Sequence, residues 1–498
     1  MGLSHHLRPL LVVTVVAFAG LARCVGSDDS SIPDAGGTDA TTDTSSPDTS
    51  TDAGADTSAE AEAGPTCIVP DSGAPGSLDT TFNTSALSIP NNFGAAAIAI
   101  DTSGNVYVAG SASGSGCTSS ASAFGLVRLT STGSIDTTFN PGDAPKCYTI
   151  DANTNGQNVA YAVAIDSAGN IVMGGLSGHT GHYFASVVRV TSTGALDTTF
   201  NGTGMLDVLG AGVGVSAGFG NGFVTIYGIA IGAGNKVILS GTDDNGGSAN
   251  PFQAGYIARL TSGGALDIGF ASGGLYSDPS VHGYWGVTVN PTDNGVTAVG
   301  YDREAPTHMV LRHLTGTSGV PDGTFGTPTT TADAGLATTP AFTDGGRNDI
   351  GRSVIQLPNG EFLLAGLVGS NTYTGIVGAA LFHLDGKIDT SFGGGTTTAT
   401  ASGLTFYAFF VTSALGSLCN GNMYVMGDVG SDPNEELAVA KLLTNGQFDG
   451  TFGTGGLTTI TGVSGDHIPA QMAQDPITGK LVVVGTGTGT TIVARINP

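Results

Sequence analysis

Basic residues are scarce in this chain. Fifteen Lys and Arg stand against 40 Asp and Glu in 498 residues, for a formal net charge of −25. That balance excludes a nucleic-acid partner, because phosphate binding needs a basic surface. Tryptophan is nearly absent, with Trp285 the single example, which argues against a lectin carrying one aromatic platform per repeat. Charged residues make up only 11% of the chain, too few for a helical protein built on Glu and Lys. None of the five cysteines shows the paired spacing of a zinc site. There is no His-Glu-x-x-His and no Gly-x-x-x-x-Gly-Lys. Long apolar runs are missing apart from Leu10–Leu21, which is short for a membrane span.

That run, preceded by His5, His6 and Arg8, reads as an export signal covering residues 1–23. Two exits stay open. Ala17-Phe18-Ala19 is an A-x-A type cleavage site, and Leu21-Ala22-Arg23-Cys24 resembles a lipobox whose cysteine, Cys24, is acylated. The expectation is an outer-membrane-associated lipoprotein, periplasmic or at the cell surface, touching membrane only through its lipid; the alternative is a secreted protein. Residues 24–66 hold ten acidic residues between Asp28 and Glu62 and almost nothing to bury. They read as a disordered acidic tether.

Glycine is abundant, at 81 residues, which suits an all-β protein with many tight turns. From residue 67 onward a motif recurs. Its copies are Leu78-Asp-Thr-Thr-Phe82, Ile135-Asp-Thr-Thr-Phe139, Leu196-Asp-Thr-Thr-Phe200, Leu266-Asp-Ile-Gly-Phe270, Pro321-Asp-Gly-Thr-Phe325, Ile388-Asp-Thr-Ser-Phe392 and Phe448-Asp-Gly-Thr-Phe452. Successive aspartates lie 57, 61, 70, 55, 67 and 60 residues apart, a period that implies blades or coils. Each interval holds three apolar runs of strand length, such as Tyr161–Asp166, Ile171–Gly175 and Ala185–Thr191. Turns such as Asp101-Thr-Ser-Gly-Asn105 and Asp166-Ser-Ala-Gly-Asn170 join the first run to the second. With the Asp-x-x-Phe motif as a fourth strand, residues 67–498 are expected to form a seven-bladed β-propeller of four-stranded antiparallel blades.

The run Val127-Arg-Leu-Thr-Ser-Thr-Gly-Ser-Ile-Asp-Thr-Thr-Phe139 and its copies resemble the delta-60 repeat family of bacterial surface-type proteins. The resemblance implies export and a propeller-like fold, and no established chemistry.

The recurring aspartate has a structural explanation. Arg128 and Asp136 flank a turn centred on Thr132 and should face each other across a hairpin, a pair worth about 0.2–1 kcal/mol. Arg189 with Asp197, Arg259 with Asp267, Arg312 with Asp322, His383 with Asp389 and Lys441 with Asp449 are expected to repeat the pair. The motif phenylalanines should fill the space between blades. The chain ends on Thr490–Ile496, a third strand without its fourth, and Leu78–Phe82 is a fourth strand without its first three. These should pair to close the ring, with Asp79 facing Arg495.

Cys117 and Cys147 are expected in loops on one face and should form a disulfide; Cys67 with Cys419 is the second expected pair. Asp151, Asn153 and Asn155 match the start of a calcium loop, although its twelfth position is Ala162 rather than Glu. Calcium is the one cofactor candidate. His179-Thr-Gly-His182 offers two imidazoles and no further ligand, and Gly214-Val-Ser-Ala-Gly218 matches a nucleophile elbow without its strand and helix. Loops holding Asp243–Asn245, Asp302–Glu304 and Asp432–Glu436 vary most, and variable loops on a rigid scaffold are where binding tends to reside. The reading is a non-enzymatic module that binds a surface ligand, protein or polysaccharide. The alternatives are a propeller hydrolase or lyase with carboxylates at the channel, lined by first strands such as Ala95–Asp101 and Tyr161–Asp166, and a carbohydrate-binding lectin.

Overall fold

The computed structural model describes residues 73–498 apart from internal segments, the longest of which are 211–222, 245–253, 340–347 and 396–412. Among the described residues helix is confined to short 3-10 turns, and everything else regular is strand. The described strands form six sheets, antiparallel apart from one pair. Gly94–Ile100, Val106–Ala112, Ala123–Leu129 and Lys146–Tyr148 make one, in chain order. Two such four-stranded sets, starting at Asn158–Ile165 and Phe223–Gly232, are joined into one sheet by a single parallel pair, Tyr183 with Phe223. Further sheets start at Val281–Val289, Asn348–Gln356 and Ser413–Gly416. In the last sheet Ile468–Gln474, Leu481–Gly487 and Thr490–Ile496 are completed by Ser85–Leu87 from the opposite end of the sequence.

The fourth strand is not the Asp-x-x-Phe motif. In every copy the motif makes one bridge, such as Leu129 to Ile135 or Leu78 to Ile496, and then turns. The strand follows it, as at Lys146–Tyr148 and Met205–Leu209. The cause is local. Asp136 Oδ1 accepts both the backbone N–H of Thr138 (2.9 Å) and its hydroxyl (2.6 Å), closing the chain into a turn. Asp79, Asp197, Asp389 and Asp449 do the same with Thr81, Thr199, Ser391 and Thr451. Leu78–Phe82 accordingly contributes a single bridge at the chain junction, and Ser85–Leu87 forms the ladder with Val493, Ile492 and Thr491.

Six of the first strands carry a register shift at the same place. One extra residue sits between Ala95 and Ala97, Ala160 and Ala162, Ile226 and Gly228, Tyr284 and Gly286, Gly351 and Ser353, and Pro469 and Gln471. Opposite each bulge the second strand has glycine: Gly110, Gly175, Gly241, Gly300, Gly366 and Gly485. A Cβ at Gly300 would collide with the carbonyl oxygen of Gly283, two residues before the bulge. The other five face the equivalent carbonyl. The bulge thus demands a glycine, and it re-aims one side chain per strand.

The first strands pack side by side in succession, and Ile468–Gln474 packs back on Gly94–Ile100. Apolar clusters fill the spaces between neighbouring sets, for example Ile98, Val108 and Val127 against Val482, Val493 and Phe82. All seven motif phenylalanines are buried, and six meet the turn glycine of the next repeat, as Phe82 meets Gly133 and Phe139 meets Gly194. The residue after it often donates its N–H to that turn: Asn83 to Thr132, Asn201 to Gly263, and Gly453 to Pro75.

Candidate functional site

The charged pairs are structural clamps. Arg128 Nε and Nη2 donate to Asp136 Oδ2 at 2.9 and 2.6 Å. Arg189 Nε reaches Asp197, and Arg259 Nε reaches Asp267, both at 2.8 Å. Lys441 lies 3.3 Å from Asp449. Arg495 Nε donates to Asp79 at 2.7 Å, with Lys480 a second cation at 3.1 Å. The remaining guanidinium nitrogen reaches into the next repeat, from Arg128 to the Ser192 carbonyl (3.0 Å) and from Arg495 to that of Ser131 (2.9 Å). Each of these arginines also lies over its own motif phenylalanine, 4.4–4.8 Å from the ring centre. Bonds from the turn residue and from the paired cation together hold each of these aspartate carboxylates in the charged form. The hydroxyl of Thr138 and the guanidinium of Arg128 bring Asp136 down to about 2. Committed carboxylates of this kind are poor proton donors at neutral pH.

Two expected pairs do not form. The bridge Leu314 to Pro321 puts His313, not Arg312, opposite Asp322. Adjacent strand residues face opposite ways, so Arg312 turns to the preceding sheet and pairs with Asp278 at 2.6 Å. His313 takes the clamp position and stacks on Phe325 at 4.9 Å. Likewise the bridge Phe382 to Ile388 puts Leu381 opposite Asp389, and His383 bonds Glu361 at 2.9 Å instead.

Cys117 and Cys147 are joined by a disulfide, with Cα atoms 5.4 Å apart. Cys24, Cys67 and Cys419 lie outside the described residues, as do Asp151, Asn153, Asn155 and the stretch 214–218. His179 and His182 are backbone register partners at the end of a hairpin ladder. Asp302 is tied by the N–H groups of Glu304 and His308 and by His308 Nδ1 at 2.8 Å. A cleft of about 460 Å³ beside Gly232–Gly234 is lined by Lys236 and Arg259, but both already pair with Asp267.

A different constellation stands out, and sequence reasoning missed it. The bulge residues of consecutive first strands are Ala96, Tyr161, Tyr227, Trp285 and Arg352, with Ala470 on the last. The equivalent position before Ser413–Gly416 lies outside the described residues. The four large ones form a column. Tyr161 and Tyr227 are 5.5 Å apart, Tyr227 and Trp285 stack at 4.2 Å and 5°, and the Arg352 guanidinium lies 3.9 Å from the Trp285 ring centre. All four are buried. Such stacking is favourable for both the ring pair and the cation.

Arg352 is 5% exposed. Its Nε and Nη1, and the indole Nε1 of Trp285, have no hydrogen-bond acceptor among the described residues. Burial pushes the guanidinium down to about 10, against a smaller opposing influence of the phenols of Tyr301 and Tyr227. Burial also raises Tyr161 to about 12 and Tyr227 further. The signal in the sequence was the glycine repeated in each second strand, since an interior strand glycine marks a bulge.

Residues 102–139 match the model of a family described as a domain of unknown function (DUF5122) beta-propeller. The fold is β-propeller-like. No curated protein matches the chain. Among solved structures, a protein of unknown function from Dyadobacter fermentans DSM 18053 is similar at 12% identity and TM-score 0.40, covering 84% of this chain and 98% of that one. An ulvan lyase of a new polysaccharide lyase family is similar at 10% and 0.38, covering 85% and 95%. A gluconolactonase from Xanthomonas campestris is similar at 11% and 0.31, covering 66% and 83%.

Proposed function

We propose that residues 67–498 form a closed seven-bladed propeller of the delta-60 repeat type, exported behind the signal of residues 1–23 and carried on the tether of residues 24–66. It acts as a non-catalytic binding module at the cell envelope, anchored through lipid on Cys24. Seven first strands packed in succession, with Ile468–Gln474 returning to Gly94–Ile100, support the ring. Completion of the last sheet by Ser85–Leu87 supports closure at the chain ends, which removes exposed sheet edges.

The observation that carries the binding reading is the division of labour among polar groups. Five of the seven repeated carboxylates are engaged in ion-pair clamps, whereas the non-repeated column of bulge residues holds buried donors without acceptors. A rigid scaffold with one irregular polar centre suits recognition. Incubating the purified protein with acidic polysaccharides, lactones and esters tests this. The expected result is no turnover. Turnover that disappears when a column residue is replaced would favour the hydrolase or lyase reading. Labelling with a radioactive fatty acid should mark the wild-type chain and not Cys24→Ala. Calcium at Asp151, Asn153 and Asn155 should give a heat of binding in calorimetry and a higher Tm than with chelator; absence of both dismisses it.

A further inference from the structure

The column is built of donors. Arg352 offers two N–H groups and Trp285 one, all buried. Tyr227 covers one face of the indole and Arg352 the other, so Trp285 has no ring face left for stacking a ligand. What remains at the end of the column is a desolvated cation. Burying a guanidinium without a carboxylate is costly, and natural proteins pair such groups. The rest of this chain follows that rule: buried Arg189, Arg259, Arg312 and Arg495 each have an aspartate within 2.6–2.8 Å. Arg352 is the buried arginine for which no aspartate or glutamate contributes to its electrostatics.

We propose that the bulge column is an anion site in which Arg352 receives the carboxylate of a small ligand. A cation is repelled by the guanidinium, whose N–H groups can only donate. A carboxylate matches the charge and supplies lone pairs for the N–H groups. Ala96 and Ala470 occupy the equivalent bulge positions on the strands to the other side. The inference deepens the binding-module reading and rests on it only in taking the first strands to surround one axis.

Trp285 is the single tryptophan and touches Arg352, so its fluorescence reports the site alone. The protein is titrated with sodium acetate, and with sodium glucuronate as a larger carboxylate, against sodium chloride at equal ionic strength. The expected result is a saturable change in Trp285 emission with a carboxylate and none with chloride. It should vanish in Arg352→Met and be weakened several-fold in Arg352→Lys. Response to acetate alone assigns a site for small free acids, and a stronger response to glucuronate assigns one for sugar acids. A carboxylate should also raise the Tm of the wild type and not of Arg352→Met, a measurement that stands even if fluorescence is quenched for other reasons. No response to either carboxylate, an equal response to chloride, or a response that survives in Arg352→Met overturns the site. An unresponsive Trp285 leaves the binding-module reading standing, whereas turnover of a substrate would overturn that reading and leave the anion site intact.

Discussion

Replacing Asp79 with Ala should unfasten the junction between the two ends of the chain. Asp79 is 4% exposed, and its Oδ2 accepts from Arg495 Nε at 2.7 Å and Lys480 Nζ at 3.1 Å. Its Oδ1 holds the turn through Thr81. Burial on its own would raise its pKa, but the bonds from Thr81, Lys480 and Arg495 outweigh burial and hold it far below the carboxylate range. Without it, buried Lys480 loses the carboxylate it pairs with, and Arg495 keeps only Asp475, 3.1 Å away. Removing one member of a buried ion pair costs about 3–5 kcal/mol, because the partner charge stays desolvated. Asp136 makes the same bond to Arg128, but those side chains are 15% and 17% exposed. Asp136→Ala should fall between the ~1 kcal/mol of an exposed pair and the ~3 kcal/mol of a buried one. The two also differ in reach. Asp136 and Arg128 lie 8 residues apart, whereas Asp79 and Arg495 lie 416 apart. Loss of Asp79 therefore frees the edge of Thr490–Ile496 and should promote aggregation. Urea unfolding followed by far-UV circular dichroism, with Arg495→Met and the double variant completing a cycle, measures the coupling. The reasoning is refuted if Asp79→Ala stays within about 1 kcal/mol of wild type, or costs no more than Asp136→Ala.

Acid should act on the same clamps. All the motif aspartates, Asp79, Asp136, Asp197, Asp267, Asp322, Asp389 and Asp449, are held below their ordinary value near 3.8. A folded-state pKa below the unfolded one means that stability is present above about pH 4 and is lost as pH falls through the folded values. Urea midpoints should be flat from neutral pH to about 5 and fall steeply below 4; a flat profile to about pH 2 would contradict this. The Cys117–Cys147 bond closes a 30-residue separation, and by chain entropy its loss should cost about 3–4 kcal/mol. Cys117→Ser with Cys147→Ser should lower the Tm accordingly, and alkylation of both thiols without reductant would argue against the bond. Gly300→Ala forces a Cβ into the carbonyl of Gly283 and should cost about 2–4 kcal/mol. Gly450→Ala, where a Cβ meets nothing within 4 Å, should change stability by less than about 0.5 kcal/mol. Equal urea midpoints for the two variants would remove the steric account of the bulge glycine.

Short-range chemistry was legible in the sequence. The period of the motif, the Val- and Ala-rich runs, and the Asp-to-Asn turns are set within a few residues of one another. Asp101 Oδ1 accepts the N–H groups of Ser103 and Asn105 whatever the rest of the chain does. Arg128 finds Asp136 because a single tight hairpin joins them. The same logic misplaced the fourth strand, because the side chain of each motif aspartate bonds its own backbone two residues on and turns the chain before the strand begins. It also misassigned Arg312, where the longer turn Thr315–Val320 shifts the register by one residue and sends adjacent side chains to opposite faces. Tertiary structure alone decided the column. Tyr161, Tyr227, Trp285 and Arg352 are not copies of one repeated residue and lie about one repeat apart in sequence. They meet only because their first strands bulge at the same height and pack side by side, and that geometry is fixed by neighbours distant in the chain.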